Sequence, residues 1–172
     1  FPVKVNAVLL KGLNHSELDA FIQWACRGVN LRFIELMETG ENRAYFDKHH
    51  LSGDVLVKKL VDSGWSETTR DALGGPARVW QHPNEEGSVG LIAPYSKDFC
   101  TTCNRLRVSA KGGLHLCLFG DGGHDLRPLL QRDSDKEILK DTVCELLDLK
   151  VAGHGLHDHY TGATPHFASI GG

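Results

Sequence analysis

The chain has 172 residues, 41% of them hydrophobic and 24% charged, with a formal net charge of −3. That length suits one domain, or one domain and a piece of another, and it is enough to bury a core. No apolar run reaches the roughly 18 residues of a membrane-spanning helix, a charge of −3 argues against a dedicated nucleic-acid binder, and the apolar content excludes disorder.

The opening Phe1-Pro2-Val3-Lys4 has no Met, no basic stretch and no signal-like apolar segment, and residues 3–10 already read as a strand. The expectation is a piece that begins inside a longer protein. Asn14-His15-Ser16-Glu17 has capping-box spacing, with Asn14 as the cap. Leu18, Phe21, Ile22 and Ala25 then follow the helical period until Gly28 stops it. Residues 31–37 form the second predicted strand, ended by Thr39-Gly40. A strand, helix and strand in that order point to a βαβ unit of a parallel sheet or barrel, whose remaining strands are expected upstream.

Beyond residue 40 the pattern changes. Residues 52–63 are expected to be helical, with Leu56, Leu60 and Val61 on one side. Residues 77–82 and 88–93 read as short strands of a hairpin-like pair. Residues 106–109 and 114–119 form a second pair around Ala110-Lys111-Gly112-Gly113. Ser134-Asp135-Lys136-Glu137 is another capping box, opening a helix through Leu139, Val143, Leu146 and Leu147. The last 22 residues hold five Gly and four His and lack a helical period, so His154, His157 and His159 are not read as a metal site. Cys26 and Cys144 lie in helical patterns and read as buried thiols.

The other three of the five cysteines carry the chemistry. Cys100, Cys103 and Cys117 have the spacing C-x2-C-x13-C. A C-x2-C turn sets two thiolates on one side of a tight loop, and the following hairpin returns a third. Three clustered thiolates suit soft metals, either zinc or an iron–sulfur cluster. Zinc in a closed structural site needs a fourth protein ligand, for which His115 and His124 are at hand; a three-cysteine cluster leaves one iron open. Spacing alone leaves both open. Arg105 and Arg107 alternate beside this loop and, on a strand, would project to one face, a bidentate site for phosphate or another anion. Lys4 sits on a mainly apolar strand, where a buried ammonium needs an anionic partner.

The run Phe99-Cys100-x-x-Cys103-Asn104-Arg105-Leu106-Arg107-Val108-Ser109 with Cys117-Leu118-Phe119 resembles the C-terminal signature of the GTP 3′,8-cyclase family of molybdenum cofactor biosynthesis. Ser169-Ile170-Gly171-Gly172 resembles that family's Gly-Gly tail, and Val3-Lys4-Val5-Asn6 and Arg32-Phe33-Ile34-Glu35-Leu36-Met37 resemble its later barrel strands. The resemblance runs, in order, over essentially the whole chain.

It implies a radical S-adenosylmethionine lyase that cyclises GTP to 3′,8-cyclo-7,8-dihydro-GTP, the first step of molybdenum cofactor biosynthesis. The implied fold is α/β: the end of an incomplete (β/α) barrel over residues 1–40, then an α+β extension over 41–172 carrying an iron–sulfur cluster. By the same resemblance Cys100, Cys103 and Cys117 hold a [4Fe-4S] cluster whose open iron takes GTP. Lys4, Arg105, Leu106 and Arg107 bind GTP, with Arg105 and Arg107 also in the catalytic role. Met37 and Arg32 contact S-adenosylmethionine, and Gly171 and Gly172 form a tail reaching the active site. The family's S-adenosylmethionine-cleaving cluster sits on an N-terminal C-x3-C-x2-C loop that this sequence lacks, so this chain alone is expected to be inactive. The implied partner is the cyclic pyranopterin monophosphate synthase that consumes the product, and the implied location is the cytoplasm. Unpaired sheet edges suggest a homodimer. The alternative from a different class is a zinc-stapled, non-catalytic binding module.

Overall fold

The computed structural model describes residues 1, 3–69, 75–101, 103–163 and 166–170. Two compact units emerge: residues 1–37 with 44–99, and residues 38–43 with 100–172. The two units interleave along the chain. A strand contributed by residues 88–92 pairs with the second strand of the chain, so the sheet that starts at residue 4 is completed only by later residues.

The first unit is a mixed α/β sheet. Strand β1 (Lys4–Leu9) leads through a short 3-10 turn into helix α1 (Leu18–Cys26), then into strand β2 (Asn30–Glu35). Helices α2 (Arg43–His49) and α3 (Asp54–Asp62) precede β3 (Ser66–Glu67), β4 (Arg78–Gln81) and β5 (Ser88–Ile92). The strand order is β1-β2-β5-β4-β3, with β1, β2 and β5 parallel and the β5-β4-β3 side antiparallel. The anticipated βαβ unit and hairpin are thus both present, joined in one sheet.

Asn14 does not cap the helix. Its side-chain oxygen accepts from the Leu10 N–H and its amide donates to the Val8 carbonyl, closing the loop after β1 instead. The 3-10 turn His15–Glu17 intervenes before α1 begins, so the capping-box spacing is one turn out of place.

Alternation along the strands sorts the sheet into two faces. Leu9, Leu31, Phe33, Trp80, Val89 and Leu91 turn toward α1 and α3, where they meet Leu18, Ile22, Ala25, Leu56 and Leu60. Phe33 is fully buried there, a side chain whose burial contributes roughly 1.5–3 kcal/mol. The sheet and α1 come so close at Gly87 that its N–H donates to the Ala25 carbonyl at 3.0 Å. A methyl group on Gly87 would stand 2.4 Å from the carbonyl oxygens of Ala25 and Val29, and neither backbone atom can swing aside.

The second unit centres on a three-stranded antiparallel sheet of β6 (Arg107–Val108), β7 (Gly113–His115) and β8 (His124–Asp125). Helix α4 (Lys136–Leu147) lays Leu139, Val143 and Leu146 on Leu114, Leu116 and Leu126. Cys144 follows Val143 by one residue, about 100° round the helix, and is exposed rather than buried. Ser134 donates to Asp135 rather than capping α4, because a 3-10 turn over Asp133–Asp135 occupies the place of the expected cap.

The close approach at Gly87 makes a sharp comparison. Gly87→Ala should lower the urea midpoint of the first unit, corresponding to about 1–3 kcal/mol of overpacking. Gly90→Ala should do much less, since its added methyl meets atoms only at 3.5 Å and beyond. All three tryptophans (Trp24, Trp65, Trp80) lie in this unit, so their fluorescence reads its unfolding directly.

Candidate functional site

The face of the sheet turned away from α1 and α3 carries the first group of expected site residues. Lys4 pairs with Asn30 and Asn6 with Arg32, so the parallel register places Lys4 and Arg32 on adjacent strands and on one face. Both line a hollow of about 210 Å³, together with Asn30, Val79, Ser88 and Gly90. The Arg32 stem lies across Gly90, which has no side chain to displace it. Ser88 donates to the Asn30 side chain at 2.8 Å within the same wall. Lys4 is exposed, so the expected burial cost of its ammonium does not arise: strand alternation turns it from the core. Two cations over one small hollow form a place for an anion, and the geometry puts Lys4 and Arg32 in the same one.

Met37 lies just beyond β2 and is half-buried. The end of β2 is held from the opposite face by Glu35, which is buried with its Oε1 2.8 Å from His50 Nε2. The His50 ring in turn packs edge-on against Tyr95 and tilts over Phe46. Burial pushes the Glu35 carboxyl above its usual range, against the pull of the His50 hydrogen bond and charge and of the Gly53 N–H.

The second group belongs to the other unit. Cys103 donates its N–H to the Cys100 carbonyl at 3.1 Å, closing the C-x2-C turn. Cys117 stands past the end of β7, and the Phe119 N–H points to its sulfur at 3.4 Å. All three cysteines are free and half-buried. Burial raises the Cys100 thiol most, the neighbouring Cys117 and Cys103 push it further, and a backbone hydrogen bond at His154 and the charge of Lys150 pull it down. Cys100 therefore senses both other thiols. Among the described residues, however, no three His, Cys, Asp or Glu side chains close on a single metal ion. Three half-buried thiols in one neighbourhood are a donor set that suits a soft group such as an iron–sulfur cluster.

The expected strand through Arg105 is not present. Strand β6 begins at Arg107, which pairs with His115, while Arg105 and Leu106 precede it. The alternation that was to align both guanidiniums therefore reaches Arg107 alone, because the two arms of the hairpin separate before Arg105 can pair. Arg105 and Leu106 are exposed and Arg107 is half-buried. Burial, with the charges of Arg107 and His124, lowers the His115 imidazole below its usual value. Gly171 and Gly172 lie outside the described residues.

The tail before them is built onto the Cys117 loop. The Ala163 N–H donates to the Gly120 carbonyl at 3.0 Å. Gly162 has φ +69°, and a side chain there would stand 2.4 Å from the Gly120 oxygen. Phe119 packs edge-on against His154 and Phe167, and Tyr160 hydrogen-bonds Asp121. His159, itself left-handed at φ 58°, places Nδ1 2.7 Å from Glu38 Oε2, while Arg43 binds Glu38 Oε1 at 2.9 Å. Glu38 is buried. Lys150 donates to the carbonyls of Arg105 and Leu116. Glu38 and Lys150 carried no recognisable signal in the sequence, because their partners lie as far as 121 and 45 residues away.

A mixed α/β sheet unit and a second unit built on a three-cysteine hairpin define the class of protein. Residues 29–156 match the Molybdenum Cofactor Synthesis C family, and the chain belongs to it. It is 57% identical over 171 residues to the GTP 3′,8-cyclase of Stenotrophomonas maltophilia (strain K279a), covering 99% of this chain and 52% of that protein. It is 54% identical to the proteins of that name from Aeromonas hydrophila and Vibrio parahaemolyticus, again over 99% of the chain and 50% and 51% of theirs. The chain thus spans about half the length of the curated relatives it matches.

The raised Glu35 carboxyl sets the sign of a pH effect. Its contribution to stability is full below the unfolded value, near 4.5, and is lost as pH rises through the higher folded value. Glu35→Gln removes that titration while keeping an acceptor for His50. Urea midpoints followed by tryptophan fluorescence should show the variant gaining on the parent as pH rises above about 4.5.

Proposed function

We propose that this chain is the cluster- and substrate-binding part of a GTP 3′,8-cyclase, which cyclises GTP to 3′,8-cyclo-7,8-dihydro-GTP by radical S-adenosylmethionine chemistry. The observation that carries the reading is likeness at 57% identity across 99% of the chain to a protein of that name, with the three cysteines in one neighbourhood. Residues 1–40 supply the end of the barrel and residues 41–172 the cluster- and GTP-binding region, with strands from residues 78–92 of the latter completing the sheet of the former. The product passes to a cyclic pyranopterin monophosphate synthase, and the enzyme works in the cytoplasm as a homodimer. Among the described residues no helix is long and apolar enough to cross a membrane.

Cys100, Cys103 and Cys117 would hold a [4Fe-4S] cluster, which with three thiolate ligands would supply Lewis-acid iron for the guanine of GTP. The residues of the chain do the rest. Arg105 and Arg107 neutralise and orient the triphosphate through charge-assisted hydrogen bonds, and Leu106 between them contributes an apolar contact. Lys4 offers a further cation to GTP from its hollow. Arg32 and Met37, on and just beyond β2, contact S-adenosylmethionine. Half-burial of the thiols limits water at the site, and the role of Gly171 and Gly172 as an active-site tail rests on the family resemblance alone.

Anaerobic reconstitution with iron and sulfide, followed by iron and sulfide counting and EPR, tests the cluster. The parent chain should take up about four of each, and Cys103→Ala should lose most of the signal. One zinc and no labile sulfide in protein kept from air would establish a zinc-stapled module instead.

Substrate recognition is read in the same loaded protein. Arg105→Ala and Arg107→Ala should each weaken GTP binding roughly tenfold to a hundredfold, about 1.5–3 kcal/mol for a charged hydrogen bond, with iron content unchanged. Titration against guanosine isolates the phosphate contribution, and parental GTP affinity in both variants would assign the arginines to solvent.

A further inference from the structure

The base of the cysteine hairpin poses a physical problem that one lysine answers. The β6–β7 ladder runs from Val108–Leu114 to Arg107–His115 and stops there. Toward the cysteines the two arms separate, leaving backbone carbonyls on each arm without ladder partners. Of these, the carbonyl of buried Leu116 needs a donor, while that of exposed Arg105 offers a second anchor. The Lys150 ammonium donates to one carbonyl from each arm: that of Arg105, two residues after Cys103, at 3.1 Å, and that of Leu116, immediately before Cys117. An ammonium has three donors, so it can hold both arms at once. These partners are neutral, so the bonds do not cancel its charge. The ammonium sits against the backbone two residues after Cys103 and one before Cys117. The lysine is half-buried two residues after α4 and its C-cap, and α4 is anchored through Leu139, Val143 and Leu146 to the core beneath the hairpin.

We propose that Lys150 is a positioning residue of the cysteine hairpin: it ties together the arms bearing Cys103 and Cys117, and its positive charge favours the more reduced state of the cluster they hold. The first half rests on the hairpin alone. The second rests on the cluster reading of the proposed function. Added negative charge on reduction is stabilised by a fixed cation beside the thiolates. A lysine held by two carbonyls supplies that cation without a flexible search.

Two measurements on the full 172-residue chain test it, using Lys150→Met, Lys150→Gln and Lys150→Arg. In metal-free protein, hydrogen exchange over residues 103–117 should quicken in the Met and Gln variants and stay near parental in the Arg variant. Protection in α1 and β2 should be unchanged in all three, which separates loosening of the hairpin from general unfolding. In anaerobically reconstituted protein, an EPR-monitored redox titration should show the Met and Gln clusters about tenfold harder to reduce, ~59 mV for one electron. Arg should restore the parental value. Unchanged exchange in both uncharged variants would overturn the tie, and unchanged potential in a loaded Gln variant would overturn the electrostatic role. Failure of the parent to take up iron and sulfide would instead defeat the cluster reading and the electrostatic role with it, while the exchange result would still decide the tie.

Discussion

The cysteine-bearing unit depends on an antiparallel ladder that stops early. Paired strands satisfy their own backbone groups, but they also hold side chains at fixed spacings too close for a bulky group to enter. Here the pairing ends at Arg107–His115, and Cys103 and Cys117 stand on the separated arms beyond it. Beyond it, other parts of the unit supply hydrogen bonds to the backbone. Lys150 meets carbonyls on both arms, and the tail meets Gly120 in the loop after Cys117. The α4 helix fixes the far side of the sheet through three apolar side chains. A sheet this small, with strands of two and three residues, would not hold such a gap by pairing alone.

In the other unit the organising constraint is the two-sidedness of parallel strands. The face toward α1 and α3 is filled with large apolar residues, which leaves the opposite face free for polar work. Lys4 and Arg32 share the hollow on that face because parallel register carries neighbouring strands forward together. Glu35, three residues past Arg32, falls on the buried face, where it is hydrogen-bonded to His50 rather than to solvent. A single strand thus presents a cation to one side and a buried carboxylate to the other, and the segment carrying Met37 starts from that anchored end.

The buried carboxylates differ in what they hold. Glu35 ties the end of β2 to the loop before α3, a contact local to its own sheet. Glu38 lies in the second unit and joins Arg43 to His159, so a strand-end segment and the tail that folds on the Cys117 loop share one carboxylate. Such pairs lend direction to their elements more than stability, since each buried charge must first be stripped of water.

The local elements were largely legible in the sequence. The strands at residues 4–9 and 30–35, the helices at 18–26, 54–62 and 136–147, and the hairpin at 78–92 follow from periodicity that a single element can express. The C-x2-C-x13-C spacing was legible as a local feature in the same way: a turn closes between Cys100 and Cys103, and a hairpin leads on to Cys117. Caps were read less well, because Asn14 and Ser134 have side chains that bond equally readily to a preceding loop or a neighbouring residue. The exposure of Cys144 turned on a one-residue offset from the apolar stripe of α4. Only the tertiary structure decided that β5 joins β2 in one sheet, that the ladder opens before Arg105, and that Lys150 and Glu38 reach partners far along the chain. Those outcomes depend on contacts between distant segments, which periodicity does not encode and packing alone selects.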